Sequence, residues 1–289
     1  MEATTINQPA VREKLRQLRT ILSGTGPLLV AYSGGVDSTF LLAEAVGVLS
    51  DRALGVIADS PSLPRSTLAG ALANAKSFGA QVEVISTAEL DDPRYVSNPV
   101  NRCYFCKLEL FTRMHWMAAD RGFSGLAYGE NADDALQIRP GAGAAREFLV
   151  LAPLRMAGLT KTEIRQLSRE RHLPTAEMPA QPCLSSRIPY GTAVTTSALR
   201  MIEQAEEYVR SCGFAIFRVR YIARPDHPPI AKLQIDPAEK DKLRPLKVQI
   251  REALGAIGFL DLVVDPDGYR APGGVGRQRQ ESNSVASAS

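Results

Sequence analysis

The chain has 289 residues, 45% of them hydrophobic and 22% charged, with a formal net charge of +3. That length suggests about two domains, and the apolar fraction is ample for a core. Residues 1–182 hold 19 basic and 19 acidic side chains and residues 183–289 hold 15 and 12, too weak an excess for a nucleic-acid-binding stripe but suited to a phosphorylated small molecule.

Residues 1–10 read as loose, and 11–22 as a short amphipathic helix with Val11, Leu15, Leu18 and Leu22 at helical spacing. The apolar run 27–32 reads as a buried strand and 40–49 as a helix. Between them stands Ser33-Gly34-Gly35-Val36-Asp37-Ser38-Thr39. Gly34 and Gly35 let the backbone approach a ligand closely. The hydroxyls of Ser33, Ser38 and Thr39, with the free N–H groups of the helix start, form an anion cradle. The lysine of the nucleotide P-loop is absent, so this is a different phosphate motif.

A strand over 53–60, a helix over 64–78 and a strand over 81–86 follow. This alternation predicts an α/β fold with a doubly wound parallel sheet, whose ligands bind at the C-terminal strand ends. Ser60 ends the second strand and is a candidate adenosine contact. A polar loop, 91–102, delivers Cys103 and Cys106 to the start of a helix over 107–120. A fourth strand, 125–128, ends at Gly129, a further candidate nucleotide contact, followed by Glu130, Asn131, Ala132, Asp133 and Asp134. Asp37 either positions Mg²⁺ or caps its helix, and Asp133 either joins it or is an ordinary loop acid. Arg139-Pro140-Gly141 is a turn signal, 148–151 a candidate fifth strand, and Thr160 to Glu163 a capping box opening a helix to 172.

Pro174, Pro179 and Pro182 make an extended linker. The expected domains are 1–180, nucleotide-binding, and 181–270, a second, smaller α+β domain; 271–289 read as a disordered tail. The second domain is expected to hold a helix over 196–211, strands over 214–222 and 230–235, a helical stretch interrupted by Pro245, and a strand over 259–264. Arg218 and Arg220 alternate onto one strand face, where they either bind a substrate phosphate or are solvated. His115, His172 and His227 have no ligand spacing.

Of the four cysteines, Cys103 and Cys106 form a CxxC, which fits zinc, a redox pair or two cluster ligands. Cys212 reads as core packing. Cys183, between the proline linker and a Ser-Ser-Arg run, is a candidate nucleophile toward an activated carboxylate. Arg187 would hold a phosphate or favour its thiolate. No apolar run approaches the ~20 residues of a membrane span. The first residues lack a signal-peptide core, so a cytoplasmic location with no membrane partner is expected. Oligomeric state stays open, a homo-oligomer included.

Ser33 to Thr39 resembles the motif of the PP-loop ATP pyrophosphatases, which implies ATP cleaved between its α- and β-phosphates. Further stretches resemble the LarE family of sulfur transferases: 58–64, Asn101 to Lys107, Asn131 to Asp134, Arg139 to Gly141, Gly158 to Lys161, Arg218 to Arg220 and, most specifically, Pro182-Cys183-Leu184-Ser185-Ser186-Arg187-Ile188-Pro189-Tyr190-Gly191. The resemblance implies a cytoplasmic enzyme of nickel-pincer cofactor synthesis. With ATP and Mg²⁺ it adenylates a carboxylate of pyridinium-3,5-biscarboxylic acid mononucleotide, then delivers sulfur to give a thiocarboxylate. In one branch the cysteine matching Cys183 gives up its own sulfur. In another, three cysteines hold a four-iron four-sulfur (4Fe-4S) cluster carrying an extra sulfide. Cys103, Cys106 and Cys183 match the three-cysteine pattern, with zinc as the alternative metal. The other readings are an RNA-thiolating enzyme, an ammonia-using synthetase with structural zinc, and a non-catalytic nucleotide sensor.

Overall fold

Apolar segments too short to bury themselves are collected into two compact units. The computed structural model describes residues 8–136 and 140–269. The first unit runs to Ser60, then takes in Arg65–Ala88 and Cys103–Gln181. The second gathers Pro61–Pro64, Glu89–Arg102 and the chain from Pro182 onward.

In the first unit, α1 (Gln8–Ser23) precedes β1 (Leu28–Ala31), α2 (Val36–Leu49), β2 (Ala53–Asp59), α3 (Arg65–Ser77) and β3 (Val82–Ser86). The helix α1 starts three residues earlier than expected because Pro9 fits a first helical turn. A four-residue helix, α4 (Pro93–Val96), lies in the second unit's share of the chain. Then come α5 (Arg102–Arg121), β4 (Gly125–Tyr128), α6 (Gly141–Glu147), α7 (Pro153–Met156) and α8 (Lys161–Glu170). The sheet is all parallel in the order β3-β2-β1-β4. The chain winds outward from β1 to β3, then crosses back to place β4 on the other side of β1. The switch point therefore lies beside β1.

Both faces of this sheet are covered, which is why Leu28-Leu29-Val30-Ala31 is apolar throughout. Leu29, Val56, Leu126 and Tyr128 pack against Phe111, Met114 and Ala118 of α5. On the opposite face α2 lies over the strands: a side chain at Gly55 would meet Leu42 at 2.9 Å. Apolar around most of its girth, α2 buries ten of its fourteen residues. Its one buried acid, Glu44, is held by Arg19 at 2.8 Å and by Arg171.

The expected fifth strand is reduced to a single parallel bridge between Ala127 and Leu151. Leu149 adopts a left-handed backbone (φ 52°) after α6, and Pro153 opens α7, so only one residue pair has room to form.

The second unit contains α9 (Thr196–Ser211), β5 (Phe217–Arg224), β6 (His227–Ile235), α10 (Lys240–Ile257) and β7 (Asp261–Val264). Its sheet, β5-β6-β7, is mixed: β5 and β6 are antiparallel, while β7 runs parallel to β6. The hairpin is tighter than its sequence suggested, because Pro225-Asp226 makes a two-residue turn with Asp226 at φ 55°. Pro245 does not interrupt α10: it sits on the exposed side within the second turn of the helix. Phe217, Val219, Ala231, Leu233, Ile235 and Leu262 face α9 and α10. Arg218, Arg220, Lys232 and Gln234 occupy the other face, the alternation of a sheet with one packed side. The tail, 271–289, and Arg139 lie outside the described residues. Among the described residues no helix is long and apolar enough to cross a membrane.

Phe111, fully buried between α5 and the sheet, anchors the first unit's core. Phe111→Ala is expected to cost about 3–5 kcal/mol, read as a lower denaturation midpoint with unchanged slope in urea.

Candidate active site

The turn after β1 is built by close backbone packing. Gly34 stands at φ 74°, and a Cβ there would lie 2.5 Å from the Cβ of Ala71 on α3. At the end of β4, a Cβ on Gly129 would lie 2.8 Å from the backbone nitrogen of Ser38. The strand end therefore rests directly on the first turn of α2. Ser38 Oγ accepts from Ser33 N–H at 3.2 Å, lies 3.0 Å from Ser33 Oγ and donates to Gly35 C=O at 3.2 Å. These two hydroxyls hold the loop's shape. The groups left to meet an anion are the N–H groups of Val36, Asp37 and Ser38, which have no acceptor within the helix. Thr39 is fully buried, its N–H bonded to Gly35 C=O, so its hydroxyl lies beneath the cradle rather than on it.

Ser60 follows the end of β2, its carbonyl accepting from Arg65 Nη2 at 2.9 Å, while Arg65 Nη1 pairs with Asp59 at 2.5 Å. The first unit thus brings Ser33, Gly34, Gly35, Asp37, Ser38, Ser60 and Gly129 to the C-terminal edge of its sheet.

Two carboxylates meet there through a lysine the sequence analysis had not singled out. Lys161, the first residue of α8, reaches Asp37 Oδ2 with its Nζ at 2.6 Å, and its backbone N–H donates to Asp133 Oδ2 at 2.8 Å. The Thr160–Glu163 capping box and the Lys14–Glu163 pair at 2.8 Å fix the start of α8. Asn131 Oδ1 accepts from the N–H groups of Asp133 and Asp134, shaping the loop that presents Asp133. The signal was present: the capping box places residue 161 at a helix start, where its backbone N–H is free to bond outward. Asp37 Oδ1 is buried with no hydrogen-bond partner among the described residues. A carboxylate oxygen left so beside an anion cradle suits a divalent cation.

On the same edge, Tyr128 lies under Lys107, whose Nζ is 4.5 Å from the ring centre. Burial, then its hydrogen bond to Glu130, pushes the Tyr128 hydroxyl well above its ordinary pKa and keeps it protonated. Cys103 and Cys106 fall within the first two turns of α5, three residues apart and so on one face of the helix. Cys103 is exposed and Cys106 half-buried. Two thiols so placed suit either zinc or an iron–sulfur cluster as a partial ligand set. Within this unit, the described residues assemble no group of three or more His, Cys, Asp or Glu side chains for a metal.

In the second unit, half-buried Cys183 precedes a short 3₁₀ turn, Leu184–Arg187. Arg187 corrects the expectation of a phosphate ligand. It is buried, and its guanidinium is committed within the protein: Nε and Nη2 bond Glu206 at 2.9 Å each, and Nη1 bonds the carbonyls of Pro182 at 2.6 Å and Cys183 at 3.1 Å. It fixes the backbone around Cys183. Glu206, missed because a single acid on an amphipathic helix reads as solvated, also accepts from Val219 N–H at 3.1 Å. The strand carrying Arg218 and Arg220 is thereby tied to the Cys183 turn.

Arg218 is 3% exposed, stacks 5.3 Å from the Tyr269 ring, and its Nε has no acceptor among the described residues. Burial, then the charge of Arg187, depresses its pKa. Glu206, whose charge also acts on Arg218, is hydrogen-bonded to Arg187, so Arg218 Nε stays without an acceptor among the described residues. Arg220 is more open, its Nε on Gln234 at 2.8 Å; Gln234 passes the contact to Asp265 at 2.7 Å.

No family model matches the chain. An uncharacterized protein of Synechocystis is 36% identical over 263 residues, 90% of this chain and 96% of its own. The pyridinium-3,5-bisthiocarboxylic acid mononucleotide synthase of Lactiplantibacillus plantarum is 30% identical over 243 residues, 84% of this chain and 86% of its own. The chain belongs to the LarE family. A third relative, an uncharacterized protein of Methanocaldococcus jannaschii, is 25% identical over 84% of the chain.

Two outcomes follow from the packing. Gly34→Ala is expected to cost about 1–3 kcal/mol in a urea titration, since the new methyl meets Ala71. Glu206→Ala leaves Arg187 buried without a counter-charge and is expected to cost about 3–5 kcal/mol in the same measurement.

Proposed function

We propose that this protein is an ATP-dependent sulfur transferase. It adenylates a carboxylate of pyridinium-3,5-biscarboxylic acid mononucleotide, releases pyrophosphate, and converts the activated carboxylate to a thiocarboxylate. The observation that carries this reading is the coincidence of two sites in one chain. The first is a glycine-packed anion cradle with Lys161 and Asp37 beside it. The second is a buried arginine, Arg218, whose Nε has no acceptor among the described residues, on the strand tied to the Cys183 turn. The name of the L. plantarum relative supplies the substrate class.

In this reading the N–H groups of Val36, Asp37 and Ser38 take the phosphates, with Ser60 and Gly129 lining the nucleotide. Lys161 adds positive charge where the leaving pyrophosphate gathers negative charge. Asp37, with Asp133, would hold Mg²⁺, which when bound would neutralise phosphate charge. Arg218 and Arg220 take the phosphate of the mononucleotide. Cys183 takes part in sulfur delivery. Cys183 would act either as a ligand of a 4Fe-4S cluster, or of zinc in its place, the cluster supplying a labile sulfide, or without a cluster as the sulfur donor itself.

The test is a sulfur-transfer assay on anaerobically purified protein, with iron, sulfide and zinc contents measured alongside. Cys183→Ala is expected to abolish transfer, keep ATP binding and still release pyrophosphate. Undiminished transfer would remove Cys183 from the mechanism, and ATP binding without pyrophosphate release by the wild type would overturn the enzyme assignment. About four irons per chain selects the cluster branch. Iron-free active protein selects the sacrificial one, with a loss of roughly 34 Da as the thiol leaves.

A further inference from the structure

The segment that carries Cys183 is anchored by a polar contact the mechanism above does not use. Three buried hydroxyls close a ring in the second unit. Ser62 Oγ lies 2.7 Å from Tyr95 Oη and 2.9 Å from Ser185 Oγ, and Tyr95 Oη and Ser185 Oγ are 2.8 Å apart. Each hydroxyl carries one proton and can accept others, so a head-to-tail circuit satisfies all three contacts. One hydroxyl comes from each of the three stretches that make up the unit: Ser62 from Pro61–Pro64, Tyr95 from Glu89–Arg102 and Ser185 from the chain after Pro182.

The surrounding backbone converges on the same point. Leu184 N–H, next to Cys183, donates to Ser62 C=O at 2.8 Å. Arg102 Nη1 donates to Ser185 C=O at 3.0 Å and also bonds Asn98 Oδ1. Asn98 Nδ2 in turn bonds the carbonyls of Pro189 at 2.8 Å and Thr192 at 3.0 Å. Together with Arg187 on the carbonyls of Pro182 and Cys183, these bonds hold both peptide flanks of Cys183. Rotation about its own side-chain bond is the freedom that remains to position the sulfur. Burying three hydroxyls carries a desolvation cost that apolar side chains filling the same space would avoid. What the hydroxyls add is direction, since hydrogen bonds fix orientation and apolar contacts do not.

We propose that Ser62, Tyr95 and Ser185 are positioning residues for Cys183, holding its sulfur on the line of attack. This rests on the reading that Cys183 takes part in sulfur delivery. The test compares full-length wild type and Tyr95→Phe by iodoacetamide labelling, with the Cys183 and Cys212 peptides followed separately by mass spectrometry. Cys212, at the end of α9 in the same unit, reports general loosening. The variant is expected to label at least threefold faster at Cys183 and at an unchanged rate at Cys212. Sulfur transfer should fall at least tenfold with the KM for ATP unchanged. Ser185→Ala should behave alike, whereas Ser185→Thr, which keeps a hydroxyl, should recover most of the transfer. Equal acceleration at both cysteines, no acceleration at Cys183, or faster labelling with full transfer would each overturn the proposal. Undiminished transfer in Cys183→Ala would instead overturn the reading beneath it, while the labelling ratio would still decide whether the ring orders the Cys183 segment.

Discussion

The first unit depends on a contact between two backbones. Where β4 ends, Gly129 lies so near the first turn of α2 that no Cβ would fit between them. Its counterpart is Gly34, folded against Ala71 in a conformation other residues resist. These two approaches hold the start of α2 at the C-terminal edge of the sheet, beside the switch point. The apolar length of the helix makes this rigid. With ten of fourteen residues buried, α2 cannot shift without opening the core beneath it.

The second unit solves a different electrostatic problem. Two arginines, Arg187 and Arg218, are buried close enough for the charge of one to depress the pKa of the other. Glu206 hydrogen-bonds Arg187 through both carboxylate oxygens and leaves the Nε of Arg218 without an acceptor among the described residues. The Arg218 guanidinium lies on the polar side of the small sheet, over the ring of Tyr269. Burying such a group without an acceptor carries a desolvation cost, and this is the feature on which the proposed phosphate contact rests.

Much of the architecture is legible in the sequence because its signals are local. Leu28 to Ala31, the Thr160–Glu163 capping box and the alternation over Phe217 to Tyr221 each announce their element through period or cap chemistry. The cradle is legible for the same reason, since glycines between a strand and a helix leave few alternatives. The misreadings arise from contacts between distant residues. Arg187 looked available because Glu206, nineteen residues on, gives no sign in the sequence that it points inward. The strand expected at 148–151 fails because Leu149 takes a left-handed turn that its side chain does not advertise. The contacts of Lys161, named only as part of a matching stretch, could not be read because its partners, Asp37 and Asp133, are 124 and 28 residues away.

The three-stretch construction of the second unit bears on how the chain is made. Ser62 leaves the ribosome 123 residues before Ser185, its hydroxyl partner. Synthesis at roughly 5–20 residues per second makes that a wait of several seconds at least. Through it, Pro61–Pro64 and Glu89–Arg102 wait for the partners that the chain after Pro182 supplies. The cost of closing so long a loop falls late in biosynthesis. The Ser62–Ser185 contact thus forms only after the whole first unit has been translated, so the order of the Cys183 segment is a product of a late stage of assembly.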